Sequence, residues 1–256
     1  MGTETTASLI AYLRALAPEF FAARMRGASE ADILRLEQAA GLRMSDGHRE
    51  FLRAMGATPA RVLNPFLNDH DFCVDTLVAE HEQARRDEIV LPAGVMYFSS
   101  SEITGANLFL RHGAAPSDDP EIGDIHPKTG AFVLMDARHL ESYLRWHAFS
   151  FRMSQLDNEL HVRPLWNAEH ERWEGNPAAC RGLLERQGFE RVFAIGTRAE
   201  CFEHDGIAVL LYQDGSMAMA GDDLVALNAQ AEAMAVETKL VIERMPNRGR
   251  FRAPRE

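Results

Sequence analysis

A chain of 256 residues, 46% hydrophobic and 25% charged, fits one large globular domain or two small ones and argues against long disorder. Its formal net charge of −11 argues against strong non-specific binding to nucleic acid, which needs basic surface, and suits a protein partner with a basic patch. The three widely spaced cysteines, Cys73, Cys180 and Cys201, form neither a disulfide framework nor a zinc spacing, and they fit a reducing cytosol.

The N-terminus has no basic region ahead of its apolar residues, so no signal peptide is expected. Apolar runs fall well short of the ~20 residues that span a bilayer, so the expected location is cytoplasmic, with no membrane partner. Met1-Gly2 with Thr6 satisfies the loose myristoylation pattern, a match that chance also produces. Residues 7–25 place Leu9, Ile10, Leu13, Leu16, Phe20 and Phe21 at helical spacing, with Pro18 expected to kink or divide the segment and Gly27 to end it.

Residues 29–56 read as a helical hairpin. Ser29 and Asp32 form a capping box, Ile33, Leu36 and Ala40 share a face, and Gly41 stops the first helix. Ser45 caps the second, Asp46 suits the positive end of its dipole, and Phe51, Leu52 and Met55 form its apolar face before Gly56. A loop-rich region precedes a helix at 76–86. Strands follow at 94–100 and 106–112, then a long turn-rich loop at 114–130, a third strand at 131–136 and a helix.

Residues 158–177, with two tryptophans and scattered Pro and Gly, read as a boundary. Beyond them a helix at 178–186 precedes four strands. Two of their turns carry Asp-Gly, the strongest short hairpin signal. A helix at 222–234 and a strand at 238–245 complete this unit, and the basic tail at 247–256 is expected to fray. The expected fold is α+β. N-terminal helices pack on a largely antiparallel sheet over 1–157, and a smaller α+β unit occupies 176–246.

The order of elements in the first half resembles the SUKH superfamily, which includes the yeast cell-wall assembly regulator and many bacterial relatives. The family's helical hairpin carries a Glu within an apolar helix, a Gly, a Leu-Pro pair, an aromatic, a Phe-Leu pair and a further Gly. Glu37, Gly41, Phe51, Leu52 and Gly56 stand in matching places, while Met44, Ser45 and His48 replace the Leu, the Pro and the aromatic. The strands at 94–100 and 106–112, the strand at 131–136 and the helix after it resemble the family's sheet and closing helix, so the likeness runs from Gly27 to Leu156. It implies an α+β binding domain without catalysis. Bacterial members are often immunity proteins that neutralise a toxin, and yeast-type members act as regulatory scaffolds.

The residues themselves point the same way. There is no H-E-x-x-H, no G-x-S-x-G elbow and no phosphate-binding loop. His70, between Asp69 and Asp71, lacks the further converging ligands a metal needs, and an Asx turn accounts for it. No metal or other cofactor is expected. An enzyme with a dispersed site would have to use His48, Asp69 and His70. His161, His170 and Trp173 sit in the boundary region, where the two histidines read as hydrogen-bonded surface residues.

Cys73 and Cys201 read as small hydrophobes, whereas Cys180 opens a helix whose dipole could lower its pKa. Asp222 and Asp223 read as a helix cap. Trp146, Phe149 and Phe151 are core residues or interface anchors. Asp118, Asp119, Glu121 and Asp124 cluster in one loop, with no basic residue between 114 and 125. They are either a solvated loop or a docking edge for a basic toxin or effector protein, where complementary charge would speed encounter.

Overall fold

The computed structural model describes residues 6–58, 71–101, 107–167 and 172–243, with 165–167 and 172–174 described by backbone alone. The fold is α+β, and the chain divides into two compact units, 1–148 and 149–256. Asp69, His70, His170 and the tail at 247–256 lie outside the described residues.

The first unit opens with α1 (Thr6–Leu16) and α2 (Pro18–Arg24). Pro18 divides the amphipathic segment because it cannot donate a backbone bond mid-helix but suits a first turn. The helical hairpin follows as α3 (Glu30–Ala40) and α4 (Asp46–Met55). The Ser29–Asp32 capping box is formed, with the Ser29 hydroxyl accepting the Asp32 amide at 3.2 Å and the Ser29 amide donating to Asp32 Oδ2 at 3.1 Å. Gly41 closes α3 at φ +68°, a left-handed conformation that favours glycine.

Glu37 sits on an otherwise apolar face for an architectural reason. Its Oε1 accepts the Met44 amide at 2.9 Å and pairs with the Arg49 guanidinium, which also pairs with Glu30. Arg49 therefore ties α4 to both ends of α3. Gly27 lets the chain into α3 pass against α4, since a Cβ there would lie 1.8 Å from the Arg53 carbonyl oxygen.

Helix α5 (Val74–Arg86) packs on α3 and on β1 (Val95–Ser100). Strand β1 pairs with β2 (Asn107–Arg111), β2 with β3 (Glu121–Ile125) and β3 with β4 (Phe132–His139), all antiparallel. Strand β3 corrects the expectation of a loop across 114–130. "EIGDI" has neither β-branched alternation nor length, and its pairing with β2 and β4 makes it a strand. Phe98 on β1 is fully buried, with its ring against Phe51, Tyr143 and His48.

Helix α6 (Leu140–Ser154) crosses the division between the units, so the first unit ends at Ala148 rather than at 157. The reason is β5 (Asn158–Arg163), which lies inside the second sheet and not at a boundary. Leu160 and Val162 face the core while Glu159 and His161 face away, the alternation of a half-buried strand. A short ribbon, β6 (Leu165–Asn167) with β7 (Arg172–Glu174), follows.

The second unit continues with α7 (Pro177–Arg186), β8 (Glu190–Ile195), β9 (Ala199–His204), β10 (Ile207–Tyr212), β11 (Met217–Gly221), α8 (Leu224–Thr238) and β12 (Val241–Glu243). Its antiparallel sheet has the order β12-β5-β11-β10-β9-β8. Val209, Phe202 and Met219 on one face pack with Leu183 and Leu184 of α7 and Leu227 and Met234 of α8. Both Asp-Gly turns are present. Asp205 and Gly206 both take positive φ between β9 and β10, which a two-residue hairpin demands. Asp223 caps α8, accepting the Val225 amide at 2.8 Å.

Candidate interaction surface

The four acidic residues singled out from the sequence do not stand free as one loop. Asp118 closes the turn before β3, its Oδ2 accepting the Ala115 amide at 3.1 Å. Asp119 reaches the start of α6 and accepts the Glu141 amide at 3.2 Å, while His139 Nδ1 donates to the Asp119 carbonyl oxygen at 3.2 Å. Glu121 and Asp124 are on β3. Glu121 is ion-paired with Arg111, whose guanidinium lies 4.7 Å over the Phe132 ring. Asp124 is exposed, and its Oδ1 accepts the Ile125 amide at 2.6 Å.

Across the hairpin from Asp124 stands Val133, and Leu134 stands across from Gly123. These two residues are 48% and 39% exposed, although neighbouring strand positions normally bury one of a pair. Sequence reading missed them because "AFVLMD" looks like any buried strand. Beyond Leu134 the register with β3 shifts, and Arg138 takes φ +56°. The bulge blunts the outer edge of β4 against strand addition, so this hairpin offers faces and not an edge. As successive strand residues, Val133 and Leu134 point to opposite faces of the hairpin, Val133 on the face of Asp124 and Leu134 on the other, so each face carries one exposed apolar side chain.

Burial pushes the Asp119 carboxyl up to about 6, with the Glu141 amide opposing the rise and the Glu141 charge adding to it. The folded chain therefore takes up the Asp119 proton more readily than the unfolded one, with an ordinary value of 3.8. Ionising this group costs stability progressively between those values, and the cost is complete above pH 6. Asp119→Asn keeps the acceptor for Glu141 and removes the charge. It is expected to raise the melting temperature at pH 8, with the gain shrinking toward pH 4. A gain independent of pH, or a loss at pH 8, would contradict this assignment.

Other features with chemical potential are satisfied locally. A cleft of about 330 Å³ in the second unit is lined by His161, Arg163, Tyr212, Asp214 and Met217. Its polar groups are engaged nearby: His161 Nε2 lies 3.0 Å from Glu159 Oε1, Arg163 pairs with Glu243 at 3.1 Å, and Asp214 accepts the Ser216 hydroxyl at 2.6 Å. Cys180 overturns the expectation of a lowered pKa, because it is fully buried in α7 and burial pushes its thiol up. Cys201 is core, and Cys73 is the half-buried residue that precedes α5.

Phe149 and Phe151 are buried, with Phe149 5.9 Å from the Phe193 ring, and Trp146 is half-buried. His48 has no exposure at all. Among the described residues no three His, Cys, Asp or Glu side chains group as metal ligands, and no helix is long and apolar enough to cross a membrane. Compared with protein-family models, curated proteins and solved structures, the chain matches none.

Proposed function

We propose that the chain is a non-catalytic protein-binding module of the immunity type, acting in the cytosol of its own cell by holding a toxin or effector with a basic surface. The observation that carries this reading is the β3–β4 hairpin, where Val133 stands exposed across from exposed Asp124 and Leu134 stands exposed on the opposite face. Val133 and Leu134 are already about half covered, so burying the rest of each on a partner stabilises a complex by about 0.5–1.5 kcal/mol. The net charge of −11 steers a basic partner toward this chain. The likeness of the α3–α4 hairpin to SUKH proteins supports the same reading. Glu37, Gly41, Phe51 and Leu52 all serve the packing of the hairpin. The absence of a disulfide among the three cysteines suits a reducing compartment.

The tagged chain, captured from its own cells, is expected to hold one stoichiometric protein partner. Leu134→Asp is expected to weaken that complex at least tenfold, and Asp124→Lys to slow association and flatten its salt dependence. Undiminished capture by both variants would refute the hairpin as the binding surface.

A further inference from the structure

Three histidines of the first unit are used in an unusual way. His112, just after β2, accepts the Ser45 amide on Nδ1 at 3.1 Å, and Ser45 is the cap of α4. His81 on α5 accepts the Tyr97 amide on Nε2 at 3.3 Å, and Tyr97 lies on β1. His48 on α4 has no exposure and stacks on His112, with ring centroids 5.4 Å apart and planes at 18°. Among the described residues neither His48 nitrogen has a hydrogen-bond partner, and neither has His112 Nε2.

Each contact needs a neutral ring. An imidazole nitrogen accepts a hydrogen bond only while it carries no proton. Protonating His112 on Nδ1 removes the acceptor for the α4 cap, and protonating His81 on Nε2 removes the acceptor for the β1 amide. Protonating His48 places a charge in an apolar pocket against a second imidazole.

Among the described residues the surroundings offer no compensation. The charge acting on His48 is that of His112, and burial alone depresses His112. Phe98 on β1 and Tyr143 on α6, behind it, present aromatic rings on that side, and Arg49, next on α4, is already held by Glu30 and Glu37. Arg111, beside His112, is held by Glu121. On α5 the charge acting on His81 is Arg85, of the wrong sign. Glu80 and Asp87 act on the Tyr97 phenol, and the charge that α3 brings to α5 is Arg35, held by Asp75.

We propose that His48, His81 and His112 form a proton-operated latch that holds α4 and α5 on the first sheet while neutral and releases them together on acidification. His81 and His112 are depressed to about 4 and His48 well below its ordinary value, all three chiefly by burial, from an imidazole value of 6.5. Their stabilisation is complete above pH 6.5 and is lost as pH falls toward 4. Each contributes about a tenfold change in the opening equilibrium per pH unit, so the three together give about a thousandfold.

The test is hydrogen exchange of the full chain between pH 7 and pH 4, read beside the NMR titration of its histidines. The latch predicts that the amides of α4, of α5 and of Tyr97 lose protection together with steep proton dependence, while those of β9 to β11 stay protected. The triple variant His48→Phe, His81→Gln, His112→Asn keeps both acceptors without a titrating ring. It is expected to lower the midpoint of opening by at least about one pH unit. The proposal is overturned if any of the three rings titrates near 6.5 with α4 and α5 still protected, or if the variant opens over the wild-type range. Should the triple variant not fold, His112→Asn alone must shift the midpoint downward, and the wild-type titration decides independently.

Discussion

Arg49→Met is expected to destabilise the first unit by about 3–5 kcal/mol in urea denaturation, because it strands a carboxylate that is nearly out of water. The Glu37 side chain is 13% exposed and its Arg49 partner 11%, so water compensates little when one is removed. Glu30 is half exposed and resolvates easily, so most of the loss falls on Glu37. The double variant Glu37→Gln, Arg49→Met removes both charges and keeps an acceptor for the Met44 amide. It is expected to recover more than half of the loss. If the two single losses simply add, the pair is not coupled and this reading of the hairpin is wrong.

Phe98→Ala is expected to cost about 3–5 kcal/mol, the range for emptying a fully buried aromatic site. Phe98 stands in a cluster with Phe51 at 5.5 Å and Tyr143 at 6.2 Å, drawn from β1, α4 and α6, so no single element can collapse to fill the space. The cavity would open beside His48, whose ring lies 5.8 Å from Phe98. Water entering there can satisfy the His48 nitrogens and raise the pKa of that ring toward 6.5. The stability of Phe98→Ala should therefore depend less steeply on pH between 6.5 and 4 than that of the wild type. An unchanged slope would mean that burial against Phe98 is not what keeps His48 neutral.

Local chemistry was legible in the sequence where it acts over a few residues. Ser29 with Asp32, Ser45, Gly41 and the two Asp-Gly turns each announce a bond or a backbone conformation within four positions, and all are formed. What was not legible depends on partners far along the chain. Asp119 looked like one of four docking carboxylates, yet its place is set by an amide at Glu141. Strand β3 carries a glycine and two acids in five residues and becomes a strand only between β2 and β4. Strand β5 did show alternation in Leu160 and Val162, but the tryptophans and prolines after it masked the signal. His48 could be weighed as a catalytic candidate only because sequence does not show burial. In the fold it shares its pocket with His112, 64 positions away.

The exposed pair Val133 and Leu134 was missed for a related reason, since apolar strand residues are ordinarily buried and only the tertiary arrangement leaves these two uncovered. Hydrogen exchange of the chain alone and saturated with its captured partner tests their role most directly. A binding module of the proposed kind predicts new protection at the amides of β3, β4 and the turn between them, with α3 and α4 unchanged. Protection confined to other elements, such as those lining the cleft of the second unit, would contradict the account.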